Sequence, residues 1–600
     1  MPQYKAPLDT VNFLLHDVIG TKRLTDLPRF AEVNRELMEA ILEAAGTFMA
    51  EELFPLNVGG DTVGCKWDNG DVIPPPGFKD AYKKYTEMGW SGLSAPTEFG
   101  GQGLPTVLNT LAGEFLASSN LSFSLYPGLT QGAISAVLHH GNDALKQKFL
   151  ANMISGKWTG TMNLTEPQAG TDLAILRTKA EDNGDGTFAI TGTKIYISCG
   201  EHDCSDNIIH LVLARLPDAP AGVKGISLFI VPKFWVNDDG SQESKKNNLT
   251  CGSIEHKMGL HGSPTCVMHY DKARGYLVGD AHKGLRAMFT MMNEARLWVG
   301  IQGFAIAEVS YQNALAYAFD RLQTRGLNGA VYPDKVADPI VVHPEVRKNL
   351  LTMKAFLDGY RAMAIDVAQN VDLAEHHPDA VKREEASDFV ALMIPIIKAY
   401  GTDMGYECAN LAVQIHGGAG YCRDYGVEQY ARDVRITQIY EGTNGIQALD
   451  LIGRKMGMNF GRLLRRFFHP ALNLLDEMQK DPALAENSFA LRKALGRLQQ
   501  ATVLTGQKAM KDKNEAGAAS TDYLRIFALV ALGTYWLRIM KTAQDKIASG
   551  TGDKKFYEAK IATGQFFFDR MLPEVHGRFA MISSGGKSMM GITEEQLHVA

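Results

Sequence analysis

This sequence predicts a multidomain α+β fold, helical at both ends and β in the middle. Three observations predict it. Apolar residues recur at three- and four-residue intervals from about 25 to 160, alternate with polar ones from about 161 to 280, and return to helical spacing from about 283 onward. The expected order is an N-terminal helical domain (1–160), a central β domain (161–280), a helical bundle (281–458) and a C-terminal helical extension (459–600).

Each element has its own signal. FAEVNRELMEAILEAAGTFMAEEL carries an apolar stripe, and GNDALKQKFLANMISG repeats the pattern with a glycine stop. TFAITGTKIYIS, IIHLVLARL and GISLFIVPKF read as strands, and EDNGDG ahead of the first has hairpin-turn chemistry. LRAMFTMMNEARLWVGIQGFAIAEVSYQNALAYAFDR is a long amphipathic helix, and the joint RKMGMNFGRLLRR leads into the last segment. There IFALVALGTYWL, bounded by Arg525 and Arg538, is shorter than the roughly 20 residues a bilayer requires and reads as a buried helix.

The 600 residues are 45% hydrophobic and 21% charged, an ordinary globular composition with ample core. A net charge of -6 gives no global basic field for nucleic acid. It is uneven: residues 461–600 hold 20 Lys/Arg against 14 Asp/Glu, leaving +6 there and -12 on the rest, which favours docking of the tail on the body or on a partner subunit. Seven cysteines without CxxC spacing argue for reduced thiols, a cytoplasmic location and no zinc site. The adjacent pairs His139-His140 and His376-His377 cannot share a helix face, so no metal is implied. The N-terminus has no basic or Arg/Ser-rich leader, and thus resembles neither a signal nor a transit peptide.

Five stretches are candidates for chemistry. In QIYEGTNGIQ (438–447), Glu441 stands between an aromatic ring and a Gly-Thr turn with no cation at i±3 or i±4; it is either surface decoration or a partly dehydrated base. MNLTEPQAGTDLA (162–174) is either a plain loop or a run of hydroxyls and amides for a polar ring edge and a pyrophosphate. In TKIYISCG, Tyr196 and Ser198 suit a flavin face and its reactive nitrogen, while as an ordinary alternating strand Tyr196 packs in the core. HGGAGYCRDYG (416–426) fits no dinucleotide fingerprint and reads as a helix-ending turn; GGKSMM (585–590) lacks the first glycine of a phosphate loop.

Taken in order, SAPTEFGGQGLP (94–105), HGNDALKQKFL (140–150), LTEPQAGTDLA (164–174), TGTKIYIS (191–198), QIHGGAGY (414–421), ARDVRITQ (431–438) and IYEGTNGIQ (439–447) resemble the acyl-CoA dehydrogenase family over about residues 35–455. The opening segment and the tail resemble the family's large subgroup, which includes enzymes acting on 3-(methylthio)propanoyl-CoA.

The resemblance implies FAD-dependent α,β-dehydrogenation of a short acyl-CoA to the trans-2-enoyl-CoA, with electrons passed to an electron-transfer flavoprotein. Glu441 falls at the usual catalytic base. The family's minority base position matches Ala295, before Arg296, although Glu294 is one residue away. For FAD the match implies Met162, Leu164 and Thr165 along the ring, Thr171 at the pyrophosphate, and Tyr196 with Ser198 at the ring face. Thr443 and Asn444 would close over the phosphates. Arg321, Gln323, Gln414 and Gly418 would reach the ADP half from a second copy, which implies at least a homodimer. Asn293 and Arg296 match the CoA-side pair, and Tyr440, Met291 and Met292 are either an acyl channel or core packing. Medium- or long-chain acyl-CoA is the alternative substrate, and a flavin-containing nucleic-acid-binding protein the alternative class.

Overall fold

The computed structural model describes residues 2–599, the side chain of Asn293 excepted. It forms two compact units, residues 44–298 and residues 1–43 with 299–600, and the boundary falls inside the helix Gly284–Asp320. The first 43 residues thus join the C-terminal helices instead of heading an N-terminal domain. The reason is local packing: Phe13 sits edge-on to Phe556 with centroids 5.5 Å apart, and Lys560 Nζ donates to Thr10 Oγ1 at 2.9 Å.

Unit 44–298 begins with helices, chiefly Phe78–Glu87, Thr106–Ser119, Leu121–His140 and Asp143–Ile154. A hairpin of Lys66–Asp68 and Asp71–Ile73 interrupts them, turned by Asn69 and Gly70 with φ of 48° and 95°. The seven-stranded sheet follows, and its first strand, Trp158–Asn163, starts ahead of the expected boundary at 161. The expected strands are present as Phe188–Ser198, Asn207–Arg215 and Ile226–Pro232. The EDNGDG segment does turn a hairpin: Asn183 N donates to Thr187 O at 3.0 Å and the Asp182 carboxylate accepts from Gly184 N at 2.7 Å.

Pairing closes on itself. Thr265–Val278 pairs with Phe188–Ser198, which pairs with Lys179–Asp182, then Asn207–Arg215, then Ile226–Pro232, which returns to Thr265–Val278. Two strands lie outside this ring, Leu249–Ile254 on Thr265–Val278 and Trp158–Asn163 on Asn207–Arg215, and each is paired on one side only. Alternate residues serve two cores. Ile209, Leu211 and Leu213 pack with Phe149 and Met153 of the helices, while Val212, Ala214 and Phe229 pack with Ile190 and Met268.

The second unit is helical. Gly284–Asp320 and Ala380–His416 touch backbone to backbone there: a Cβ on Gly303 would lie 2.7 Å from Gly401 O and from Thr402 Cα. Ala380–His416 ends at Gly417 with φ of 60°, so HGGAGY is the helix-ending turn. The extension supplies Arg462–Met478, Ala485–Ala509, Lys513–Ala548 and Lys554–Phe566. Lys513–Ala548 is long and apolar enough to cross a membrane by length and composition, a longer element than its apolar run suggests, but 89% of its most apolar stretch is buried in the protein. All seven cysteines are free, and among the described residues no group of three or more His, Cys, Asp or Glu could hold a metal ion.

Candidate active site

In unit 44–298, Met162 sits near the end of Trp158–Asn163, and Leu164 and Thr165 leave that strand. A buried ion pair fixes their path. The Glu166 carboxylate accepts from Lys194 Nζ at 2.9 Å, Thr178 Oγ1 at 2.6 Å and the backbone N–H groups of Arg177 at 2.7 Å and Thr178 at 3.0 Å. Lys194 Nζ also donates to Leu164 O at 3.0 Å, and Ile195 N donates to Thr165 O at 2.9 Å. The loop is therefore clipped to the strand that carries Tyr196 and Ser198. Burial alone would raise the Glu166 carboxyl, but the Lys194 ammonium and the hydrogen bonds outweigh it and hold it at about 2. Burial brings Lys194 down to about 8, so both groups are ionised at neutral pH.

Tyr196 does not pack in the core. It is 61% exposed and holds φ of 59°, a left-handed conformation costly for a ring-bearing residue. Thr165 and Ser198 are half-buried and Thr171 is exposed. An outward ring beside half-buried hydroxyls fits the face and the polar edge of a flavin. On Gly284–Asp320, Arg296 is buried at 6% exposure, and the Asn293 side chain lies outside the described residues. The neighbouring Glu294 accepts a short hydrogen bond from Ser135 Oγ. Met291 is buried among Ala133 and Met153, which is core packing, and Met292 packs against the same cluster.

In the other unit, Glu441 has φ of 58° and Gly442 84°, a tight reversal ahead of the short helix Asn444–Asp450. Thr443 caps that helix, accepting from Ile446 N at 3.3 Å. The buried Gln447 holds the reversal, its Nε2 donating to Glu441 O at 3.1 Å and Gly442 O at 3.3 Å. Tyr440 donates a short hydrogen bond to Oε1 of buried Gln302, and burial, then the Glu441 carboxylate, push its phenol up. Asn444 departs from the expected phosphate contact. Its amide is committed to the helix Ala380–His416: Oδ1 accepts from Lys398 Nζ at 2.9 Å, and Nδ2 donates to Thr402 Oγ1 at 2.9 Å and Asp403 Oδ1 at 2.7 Å. The residue locks the turn from behind.

The remaining expected residues lie on separate segments of this unit. Gln414 and Gly418 flank the end of Ala380–His416, both exposed. Arg321 and Gln323 are exposed in a loop shaped by Asp338, a buried carboxylate accepting from the N–H groups of Gly326 at 2.9 Å, Val331 at 3.0 Å and Tyr332 at 2.8 Å. Sequence reasoning missed Glu166, Lys194, Gln447 and Gln302. The signal for the first two was a charge inside each of two small-residue or apolar stretches, LTEPQAG and GTKIYIS, since a charge in a buried element needs a partner.

A β domain that presents an aromatic plate and hydroxyls, and a helical region that carries a glutamate on a left-handed turn, are the features expected of a flavin-dependent oxidoreductase of acyl thioesters. Family comparison agrees in the same order. The N-terminal, middle and C-terminal domains of acyl-CoA dehydrogenase match residues 36–157, 161–273 and 282–457, and an acetyl-CoA dehydrogenase C-terminal-like domain matches 472–593. The 3-methylmercaptopropionyl-CoA dehydrogenase of Ruegeria pomeroyi is 44% identical over 98% of this chain and 99% of its own. A butyryl-CoA dehydrogenase of Syntrophomonas wolfei is 33% identical over 93% of each chain. An acyl-CoA dehydrogenase from Bacillus anthracis, solved with FAD, superposes with a TM-score of 0.73 at 22% identity, covering 92% of this chain and 88% of that one. The chain belongs to the acyl-CoA dehydrogenase family. It is an oxidoreductase with acyl-CoA dehydrogenase activity, and its cofactor is FAD.

Proposed function

We propose that this enzyme dehydrogenates a short acyl-CoA, 3-(methylthio)propanoyl-CoA first and butanoyl- to hexanoyl-CoA next, with Glu441 as the base. The observation that carries the base is the strained turn: Glu441 keeps a left-handed backbone, with its carbonyl tied down by Gln447. Glu441 would remove the α-proton of the thioester, a weak acid that yields only to a well-placed acceptor. Its backbone N–H would stabilise the thioester oxygen as charge develops there. FAD, when bound, supplies the acceptor for the β-hydride. Met162, Leu164, Thr165, Thr171, Tyr196 and Ser198 would hold that cofactor, Arg296 would meet the CoA side, and Arg321, Gln323, Gln414 and Gly418 would contact the cofactor of a second copy. Electrons would leave to an electron-transfer flavoprotein.

The substrate assignment is supported by the 44% relative, whose name gives the same thioether compound. A thioether sulfur replaces a methylene at similar size, so butanoyl- to hexanoyl-CoA should be accepted within the roughly 1 to 3 kcal/mol that one methylene is worth. Steady-state turnover across acyl chains of four to sixteen carbons (about one methylene step at a time), with the thioether substrate alongside, tests this. A maximum at the short end is expected. An optimum at twelve carbons or more would discard the short-chain assignment and leave the dehydrogenase chemistry in place.

A further inference from the structure

A cavity of about 700 Å³ lies within the helical unit, walled by four separate stretches of chain: residues 23–27, 366–389, 465–474 and 534–538. None of its lining residues belongs to the site proposed above. The volume is in the range of small-molecule sites, about 300 to 1,000 Å³. Its lining includes apolar Leu27, Leu373, Phe389, Phe467 and Leu474.

The charges around it do not balance. Five cations line it, Arg23, Lys382, Arg465, Arg466 and Arg538, against three carboxylates, Asp26, Asp366 and Glu385. The carboxylates are already engaged. Asp366 accepts from Arg23 Nη2 at 2.5 Å and from Tyr535 OH at 2.7 Å. Glu385 meets Arg466 at 3.0 Å and Lys382 at 3.6 Å, and Asp26 meets Lys22 at 2.8 Å. Two guanidiniums remain. Among the described residues Arg465 donates only to the backbone oxygen of Phe460, and Arg538 stands 5.9 Å from the Tyr535 ring, its field reaching Asp366 without an ion pair. Guanidinium pairs suit carboxylate and phosphate oxygens, and their attraction strengthens beside a low-dielectric wall.

We propose that this cavity binds a small amphiphilic anion, an apolar body with a single carboxylate or phosphate head held by Arg465 and Arg538. Because its walls come from the N-terminal segment, the bundle and the extension, an occupant would tie these together and raise the melting temperature by linkage. The test uses the FAD-loaded full chain with its reaction site saturated by trans-2-butenoyl-CoA. Calorimetric titration and thermal shift are read with octanoate and with octyl phosphate, and with acetate and inorganic phosphate as heads without a body. Saturable binding of octanoate alone assigns a carboxylate ligand, and of octyl phosphate alone a phosphate ester. Acetate and phosphate should bind far more weakly than the parent amphiphile. In the R465Q/R538Q variant affinity should fall about tenfold or more while flavin content is unchanged. Arg465 is exposed, so Arg465→Gln alone keeps the fold and must itself weaken binding. Binding of neither amphiphile, or equal binding by wild type and variant, overturns the proposal.

Discussion

Glu441 occupies a backbone region that costs an ordinary side chain about 1 to 3 kcal/mol, and it is followed by a glycine that adopts the same hand without penalty. Such strain persists because the surroundings hold it, here through the two carbonyl contacts of Gln447. Replacing Glu441 by Gln keeps shape and conformation and removes only basicity. The variant should retain FAD and lose flavin reduction by acyl-CoA by about four powers of ten, the upper end for a general base. Anaerobic stopped-flow bleaching measures this directly; bleaching at the wild-type rate would transfer the role to Glu294. The carboxylate stood out in the sequence because no cation stands at helical spacing from it, and its role as base is the proposal this variant tests. Asn444 and Tyr196 were not fully legible. An asparagine directly after a Gly-Thr turn looks outward in one dimension, and only the helix behind it reveals Lys398, Thr402 and Asp403 as its partners. Tyr196 alternates like a core residue, yet a left-handed φ turns its ring out.

At the scale of elements, the loop 164–166 and the strand Phe188–Ser198 are joined through the Glu166–Lys194 pair. Glu166 titrates at about 2 in the folded protein, below its usual 4.5. A carboxylate depressed on folding contributes stability above its unfolded pKa, and that stability is lost as pH falls from about 4.5 towards 2. Thermal melts of wild type and Glu166→Gln should therefore converge in that acid window and diverge above it. At neutral pH the variant, which leaves Lys194 buried without its partner, should be less stable by about 3 to 5 kcal/mol and release FAD earlier. A constant gap between the two from pH 2 to 7 (roughly the span from the lowered carboxyl to neutrality) would remove Glu166 from this role. The strands that sequence reasoning found alternate cleanly. The missed ones explain themselves: Thr265–Val278 shifts register twice, between Cys266 and Met268 and between Tyr270 and Ala273, so its apolar residues lose the period of two. Trp158–Asn163 is almost wholly buried and has no alternation to read. The Asn69-Gly70 hairpin carried a recognisable signal, hidden by the helical stretches on either side.

Across the whole molecule, the opposite net charges of extension and body are expressed as ion pairs. Arg462 meets Glu384 at 2.9 Å and Asp388 at 2.6 Å, Arg466 meets Glu385, Lys546 meets Asp17 at 3.0 Å, and buried Lys560 meets Asp358 at 2.8 Å. Most are partly exposed, and pairs of that kind contribute about 0 to 1 kcal/mol each. Apolar burial contributes more. Lys513–Ala548 buries Trp536 completely, seats it against Gly359 and bonds its Nε1 to Ala355 O at 3.1 Å. Removing a buried tryptophan side chain costs about 3 to 5 kcal/mol through lost contact and the cavity left behind. The charges accordingly select where the extension docks, and the apolar helix keeps it there. Raising salt from 0.05 to 1 M (from a screening length well beyond contact to about 3 Å) should move the melting temperature of the full chain only slightly, whereas Trp536→Ala should lower it markedly. The isolated segment 1–460 should fail to melt cooperatively, because the faces of Pro344–His376 and Ala380–His416 that the extension covers would stand in water. A strong fall in melting temperature with salt, together with a cooperative 1–460 fragment, would reverse the ranking and make the extension an electrostatically held accessory.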